Sequence, residues 1–433
     1  MTELIDLPDG ELFGPESPGY DAVRRPVNLA FQDRRPKYVV RCRSVADVVA
    51  TLAFARATGE RLVPRGGGHC FAGRSSTDGI VLDLSGLDGI AVAADGTATI
   101  GAGVRLGQLY AALHAEGRTL PAGCGPTVGI AGLTLGGGIG LLGRKYGLTC
   151  DHLIGAQVVL ADGSVVDCDE DHEPELFWAL RGAGGGQFGV VTVLRFATVP
   201  EPMATYLVAR LPITAPEELL SAWQRWAPDA PDDLTVKLVV ASEPGRPLEA
   251  TLIGASLLAE GPTQELLREF AEPAALELRR MPYSLLKEAF DDPRGLPAIR
   301  LRSEYFSHSI TPETVEDLLT ALDDGPAGTR DQARELNFHA MGGAYGRIAE
   351  DATAFAHRNE RFLLEHVGAA SDPWVDTSWS IAHRDGSGRV YPNFPDPALD
   401  DWATAYHGAN YPRLQAVKHA YDPDRFFDFP QAI

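Results

Sequence analysis

The chain has 433 residues, 45% hydrophobic and 22% charged, a balance that supports a globular fold of two or three domains. Lys and Arg number 38 against 59 Asp and Glu; the net charge of −21 repels phosphate backbones and anionic lipid, so neither nucleic acid nor membrane is an expected partner. No apolar run is long enough for a membrane span, residues 1–6 lack a signal-peptide pattern, and the five cysteines (42, 70, 124, 150, 168) have no zinc spacing, so a cytoplasmic protein with reduced thiols and no metal is expected.

In chain order, an N-cap at Ser44, an amphipathic run and Gly59 predict a first helix. Gly79–Leu84 reads as a strand. Alternating segments around Asp95-Gly96 and around Asp162-Gly163 predict two tight hairpins, with a helix over Leu106–Ala115 between them. From Gly184 a glycine loop turns into a strand reaching Phe196. Beyond Pro200-Glu201-Pro202, helical patterns at Pro216–Trp226, Pro262–Ala271 and Pro312–Leu322 alternate with strand-like runs at Leu234–Ala241 and Ala250–Leu258. A helix through Tyr411–Lys418 follows near the end. Hairpins mixed with helices predict an α+β fold, with boundaries near residues 200 and 395.

Two glycine-rich segments carry the chemistry. Arg65-Gly66-Gly67-Gly68-His69 ends in a histidine, and Gly123-Cys124-Gly125-Pro126-Thr127-Val128-Gly129 holds a cysteine. Glycine runs let the backbone press against a flat or phosphorylated ligand, and a histidine closing such a loop is placed to touch that ligand or be bonded to it. Read in isolation, His69 could equally satisfy a backbone carbonyl, and Cys124 could be a small buried hydrophobe. Gly138–Gly143 fits GxGxxG with Asp162 downstream, but no buried strand precedes it and Asp162 sits in a hairpin turn, so a Rossmann unit is not expected.

Arg65–His69, Ala131–Gly140 and Arg144–Leu148 come first in a longer ordered pattern. With Tyr391–Phe394, Trp402, Tyr406–Leu414, Lys418 and Tyr421–Pro423, they resemble the berberine-bridge-enzyme-like FAD-linked oxidases of bacterial type, within the vanillyl-alcohol-oxidase and p-cresol-methylhydroxylase superfamily. The resemblance implies an FAD-binding domain over residues 1–200, rejoined by a C-terminal segment 396–433. Between them, residues 201–395 would form a substrate domain whose antiparallel sheet, flanked by helices, roofs the flavin. It implies FAD bonded through its 8α-methyl to His69, with Gly66, Gly67, Gly68, Ser75 and Ser76 around the pyrophosphate. Backbone at Gly129, Gly132, Gly136, Gly137, Gly138 and Gly140 would lie along the cofactor, and Asn393 and Asn410 would sit near the flavin. Arg65, Gly123, Cys124, Gly125, Thr127, Leu133 and Val190 complete the implied contacts.

Two departures qualify it. Members with two flavin bonds carry Cys-Pro-x-Val-Gly; here Gly125 precedes the proline and Cys124 lies one position early, so one bond through His69 is expected and a second to Cys124 stays open. Several members use the last tyrosine of Tyr-x-Asn-Tyr as base, where this chain has Phe394. The base is therefore open among Tyr391, Tyr305, His308, His339 and Tyr345, with a hydrogen-bonded role expected for Tyr391. The implied activity is an oxidase, monomeric or homodimeric, that moves hydride from an alcohol or amine of a small natural product to flavin N5 and electrons to O2. The alternatives are a dehydrogenase that avoids O2, a carbohydrate or alcohol oxidase with flavin on both His69 and Cys124, and an FAD-binding protein without oxidase activity.

Overall fold

Ser44 and Asp47 start the first long helix by capping each other. The Ser44 amide donates to the Asp47 carboxylate at 3.0 Å, and the Asp47 amide donates to the Ser44 hydroxyl at 3.3 Å. The helix, Val45–Thr58, ends as its sequence predicts, where Gly59 turns left-handed at φ 68. The structure, a computed structural model, describes residues 5–290, 298–324 and 333–433. The helix packs on a four-stranded sheet ordered Glu11–Phe13, Tyr38–Arg41, Ile80–Asp83, Leu62–Arg65, the last three strands parallel. Val40, Leu52, Ile80 and Leu82 share its core.

Both Asp-Gly turns form where expected. Gly96 and Gly163 take φ of 87 and 88, which residues with a Cβ avoid, and each preceding aspartate accepts the amide two residues on. They join strands of an antiparallel five-stranded sheet ordered Ile90–Val92, Thr97–Gly101, Val190–Ala197, Leu153–Val159, Val165–Cys168. Residues 138–143 follow the Ile130–Leu135 helix rather than a strand, so the GxGxxG match has no βαβ setting.

Past Pro202 the chain builds a seven-stranded antiparallel sheet. Its order is Ala275–Pro282, Met203–Leu211, Glu249–Ser256, Leu234–Ser242, Arg334–Ala340, Phe362–Ala369, Ile299–Phe306. The helices Pro216–Trp226, Glu260–Phe270, Pro312–Asp323 and Trp374–Ala382 accompany it. Glu260–Phe270 begins two residues before Pro262, which the first turn tolerates because its amides have no intrahelical acceptor. Trp223 packs against Phe338 and Phe362 in the core between sheet and helices. Along Leu234–Ser242 every second residue is buried: Leu234, Val236, Leu238 and Val240 enter that core, which turns Thr235 and Lys237 to the opposite face. The overall class is α+β.

Two buried cations tie distant segments together. Lys418, on the Tyr411–Tyr421 helix, donates to Gln187 O, Phe427 O and the Asp422 carboxylate. Arg144 is fully buried and donates to the carbonyls of Pro228, Ala230 and Met341, fastening the Gly143–Tyr146 helix to the chain beside the seven-stranded sheet. Among the described residues no helix is long and apolar enough to cross a membrane, and no group of three or more His, Cys, Asp or Glu could hold a metal ion. All five cysteines are unpaired.

Candidate functional site

The two glycine segments meet through their backbones. A Cβ on Gly67 would lie 2.2 Å from Gly129 N, and one on Gly129 would lie 2.4 Å from Gly67 N, so neither position admits a side chain. These loops wall a cavity of about 860 Å³, at the large end of small-molecule sites. A second wall comes from the face of the seven-stranded sheet turned away from its core with the helices: Thr235, Lys237, Ile253, His339, Leu363 and Glu365.

His69 and Cys124 both face this space. His69 Nε2 lies 2.9 Å from Thr127 Oγ1. Burial, reinforced by the Arg105 charge and opposed by the Thr127 bond, pushes its pKa down to about 4, so the ring is neutral near pH 7. Cys124 Sγ lies 3.5 Å from Lys287 Nζ, which donates to Ala122 O at 2.8 Å and Gly123 O at 2.7 Å and lies over the Tyr110 and Tyr283 rings. Burial lowers the Lys287 pKa, against the pull of Cys124.

Gly66, Gly67, Gly68, Ser75, Gly123, Gly125, Thr127, Gly129, Gly132, Leu133, Gly140 and Asn393 also line the cavity. Others of the expected contacts stand off it, each for a visible reason. Arg65 is buried, donating to Arg24 O and Val23 O. Gly136, Gly137 and Gly138 make room for protein: a Cβ would strike Asn393, Phe355 or Thr149. Val191 rather than Val190 faces in, since successive strand residues alternate. Asn410 donates to Glu350 O and Thr353 O, and Ser76 is buried off the wall.

The candidate bases separate cleanly. Tyr305 is buried off the cavity beside the His357 ring, and His308 also lies off it, with Nδ1 3.2 Å from Ser309 O. Tyr391 lines the wall, but its phenol oxygen accepts from Gly138 N, Ile139 N and Asn393 Nδ2, and burial pushes its pKa up to about 12. Tyr345 donates to Gly140 O at 3.1 Å, and burial raises its pKa. Phe394 fills its place as a packing ring, edge-on to Tyr391 and Phe71. That leaves His339, whose Nε2 lies 2.7 Å from the Glu365 carboxylate, an ion-pair distance without hydrogen-bond alignment. Burial raises the Glu365 pKa, but the charge and contact of His339, then Lys237 and Asn337, outweigh it and hold the pKa below its usual value.

The chain fits FAD on its own terms. Ser75 Oγ is buried on the wall with no protein partner, and a Cβ added at Gly132 would meet nothing within 4 Å, so backbone and an unanswered hydroxyl border open space. Gly184–Gly186, Arg74, Phe427 and Phe429 extend the wall; of these only the glycine run stood out in the sequence. Thr235, Lys237, Ile253, Phe290 and Glu365 had no motif, although a glutamate inside the apolar strand Phe362–Ala369 is a signal in hindsight.

A glycine-walled cavity of this size, lined by a neutral histidine and an acid-backed histidine, suits a flavin-linked oxidoreductase. The family described as "FAD binding domain" matches residues 36–169, and "Berberine and berberine like" matches 390–433. An uncharacterized FAD-linked oxidoreductase of Bacillus subtilis, YgaK, is 32% identical over 98% of this chain and 96% of its own length. The chitooligosaccharide oxidase of Gibberella zeae is 30% identical over 90% of this chain and 85% of that protein. The structure of Physcomitrella patens BBE-like 1 matches with a TM-score of 0.89 at 26% identity, over 98% of this chain and 97% of that one. The chain belongs to the berberine-bridge-enzyme-like FAD-linked oxidoreductases, and FAD is its cofactor.

Proposed function

We propose that the protein is an oxidase acting on an alcohol or amine of a small natural product, with FAD bonded to His69 and the substrate proton taken by His339. The observation that carries this reading is that His339, backed by buried Glu365, lines the same cavity as His69. When bound, FAD would supply the redox chemistry, accepting the substrate's hydride and giving electrons to O2 with H2O2 as product.

With Nε2–H donating to the Thr127 hydroxyl, His69 Nδ1 would carry the lone pair and be the atom to hold the flavin, kept unprotonated by burial. Gly66–Gly68, Gly129 and Gly132 would hold the cofactor by backbone, and the unanswered Ser75 hydroxyl would donate to it. His339 takes the O–H or N–H proton at Nδ1, and the Glu365 carboxylate offsets the charge that forms. Tyr391 positions the 391–394 turn through the amides it accepts.

A second reading has one observation in its favour: Cys124, though one position early, lines the cavity beside Lys287. It would make the protein a carbohydrate or alcohol oxidase with flavin on both residues, in line with the chitooligosaccharide oxidase relative. Acid precipitation and peptide mapping separate the two. Flavin on the His69 peptide alone supports the first, flavin on both peptides the second, and flavin left in the supernatant overturns the covalent bond. Steady H2O2 production under air with an alcohol or amine is the expected activity; a flavin that no panel member reduces would leave a binding protein.

A further inference from the structure

The chain has five lysines (37, 145, 237, 287 and 418). Lys37 meets Glu60, Lys145 meets Asp233 at 2.9 Å, and Lys287 and Lys418 are each held by several acceptors. Lys237 differs. Among the described residues its ammonium has no hydrogen-bond or ion-pair partner, although it is half-buried on the cavity wall of a protein with 59 carboxylate residues.

The other charged groups on that wall are engaged. Arg74 donates to Gln431 at 2.8 Å and lies over the Tyr406 and Phe429 rings, Asp428 is bonded by Arg425 at 2.9 Å, and Glu365 is taken by His339 at 2.7 Å. Lys237 acts on Glu365 only through space. It stands in register with His339 on one neighbouring strand and with Ile253 on the other; Leu363 and Phe290 line the same cavity.

We infer that the substrate carries an anionic group, in the simplest case a carboxylate, and that Lys237 is the residue that grips it. This rests on the oxidase reading of the same cavity and narrows its substrate class to alcohols or amines bearing a carboxylate. Paired residues on adjacent strands have backbones about 5 Å apart, so the carboxylate and the reacting hydroxyl or amine are separated by only a few bonds. The charges also balance in the right order. The substrate O–H or N–H bond breaks, its proton binds His339, and the imidazolium and Glu365 become a neutral pair. Lys237 is then matched by the substrate carboxylate, a charge-assisted partner that a neutral substrate does not supply.

The test uses flavin-loaded protein and matched pairs, each a hydroxy acid and its methyl ester, with benzoate as a non-reacting probe. Two readouts are taken: the flavin absorbance change on anaerobic titration, which reports binding, and flavin reduction. Wild type is expected to favour the acids about 10- to 100-fold, the range of a charge-assisted hydrogen bond. Lys237→Met is expected to bring the acid-to-ester ratio close to one, Lys237→Arg to keep most of the preference, and Lys237→Glu to reverse it, with flavin content reporting that each variant folds. Esters used as well as acids, a ratio unchanged in Lys237→Met, or failure of benzoate and every acid to bind each overturns the inference. Acids that bind through Lys237 without reducing the flavin sink the oxidase reading and leave the inference standing. Equal reduction by both members of each pair does the reverse.

Discussion

Gly67 and Gly129 meet backbone to backbone, whereas Lys237 and His339 meet as side chains on paired strands. The two walls of one cavity are thus specified in opposite ways. The glycine wall depends on what its residues lack, because a carbon added at Gly67, Gly129 or Gly140 collides with a neighbouring peptide and one at Gly132 meets open space. The strand wall depends on alternation, which sends apolar residues into the core and leaves a cation, an imidazole and a carboxylate facing in. On the proposed function, one wall would shape the space for the cofactor and the other would set its chemistry.

The largest test of that division is His339→Ala. Turnover should fall about 10²- to 10⁴-fold, the usual contribution of a positioned base, with flavin content unchanged; a loss of flavin alongside would mean the walls do not act separately. Gly67→Ala attacks the other wall. With its Cβ 2.2 Å from Gly129 N the loops must part, so the thermal midpoint should drop by the equivalent of about 1–3 kcal/mol and flavin content should fall. Gly132→Ala sharpens the contrast, since its Cβ meets no protein atom. Its apoprotein should unfold at the wild-type midpoint while flavin retention declines; an equal drop in stability would place Gly132 among the packing glycines. Glu365→Gln should slow turnover roughly tenfold, about 1.4 kcal/mol, by removing the charge that steadies protonated His339.

The last test, the one furthest from turnover, follows pH along one strand. Next to Glu365, His366 points the other way, to Ser378 Oγ at 2.8 Å, and burial, aided by Arg302, pushes its pKa down to about 3. The unfolded chain protonates this residue below about pH 6.5 while the native state does not, so stability falls as pH drops from 6.5 toward 3, by up to about 1.4 kcal/mol per pH unit. Denaturant midpoints of His366→Gln should decline less steeply over that window than those of wild type. Parallel slopes would show that His366 takes up its proton without unfolding.

How far the sequence could be read follows from the same contrast. The glycine wall was legible because a run of glycines is a local signal, and the Asp-Gly hairpins and the Ser44 cap are local too. The strand wall was legible only in part. Alternation says that Thr235 and Lys237 share a face, but which face meets a cavity depends on helices far along the chain. Val190 illustrates the cost of a single step: its neighbour Val191 lines the wall. Gly136–Gly138 illustrate another limit, since glycines kept for side-chain packing look the same in sequence as glycines kept for a ligand. Asn410, expected near the flavin, instead closes on the carbonyls of 350 and 353, a contact that no spacing announces.

Arg144 ties the helix at 143–146 to the chain on either side of the seven-stranded sheet's strands. Swinging the sheet away from the glycine loops would strip a guanidinium of the carbonyls at 228, 230 and 341, at roughly 1–3 kcal/mol for each group left unanswered. Those three bonds therefore act as a clasp, a restraint on any motion that would part the helix at 143–146 from the chain beside the sheet.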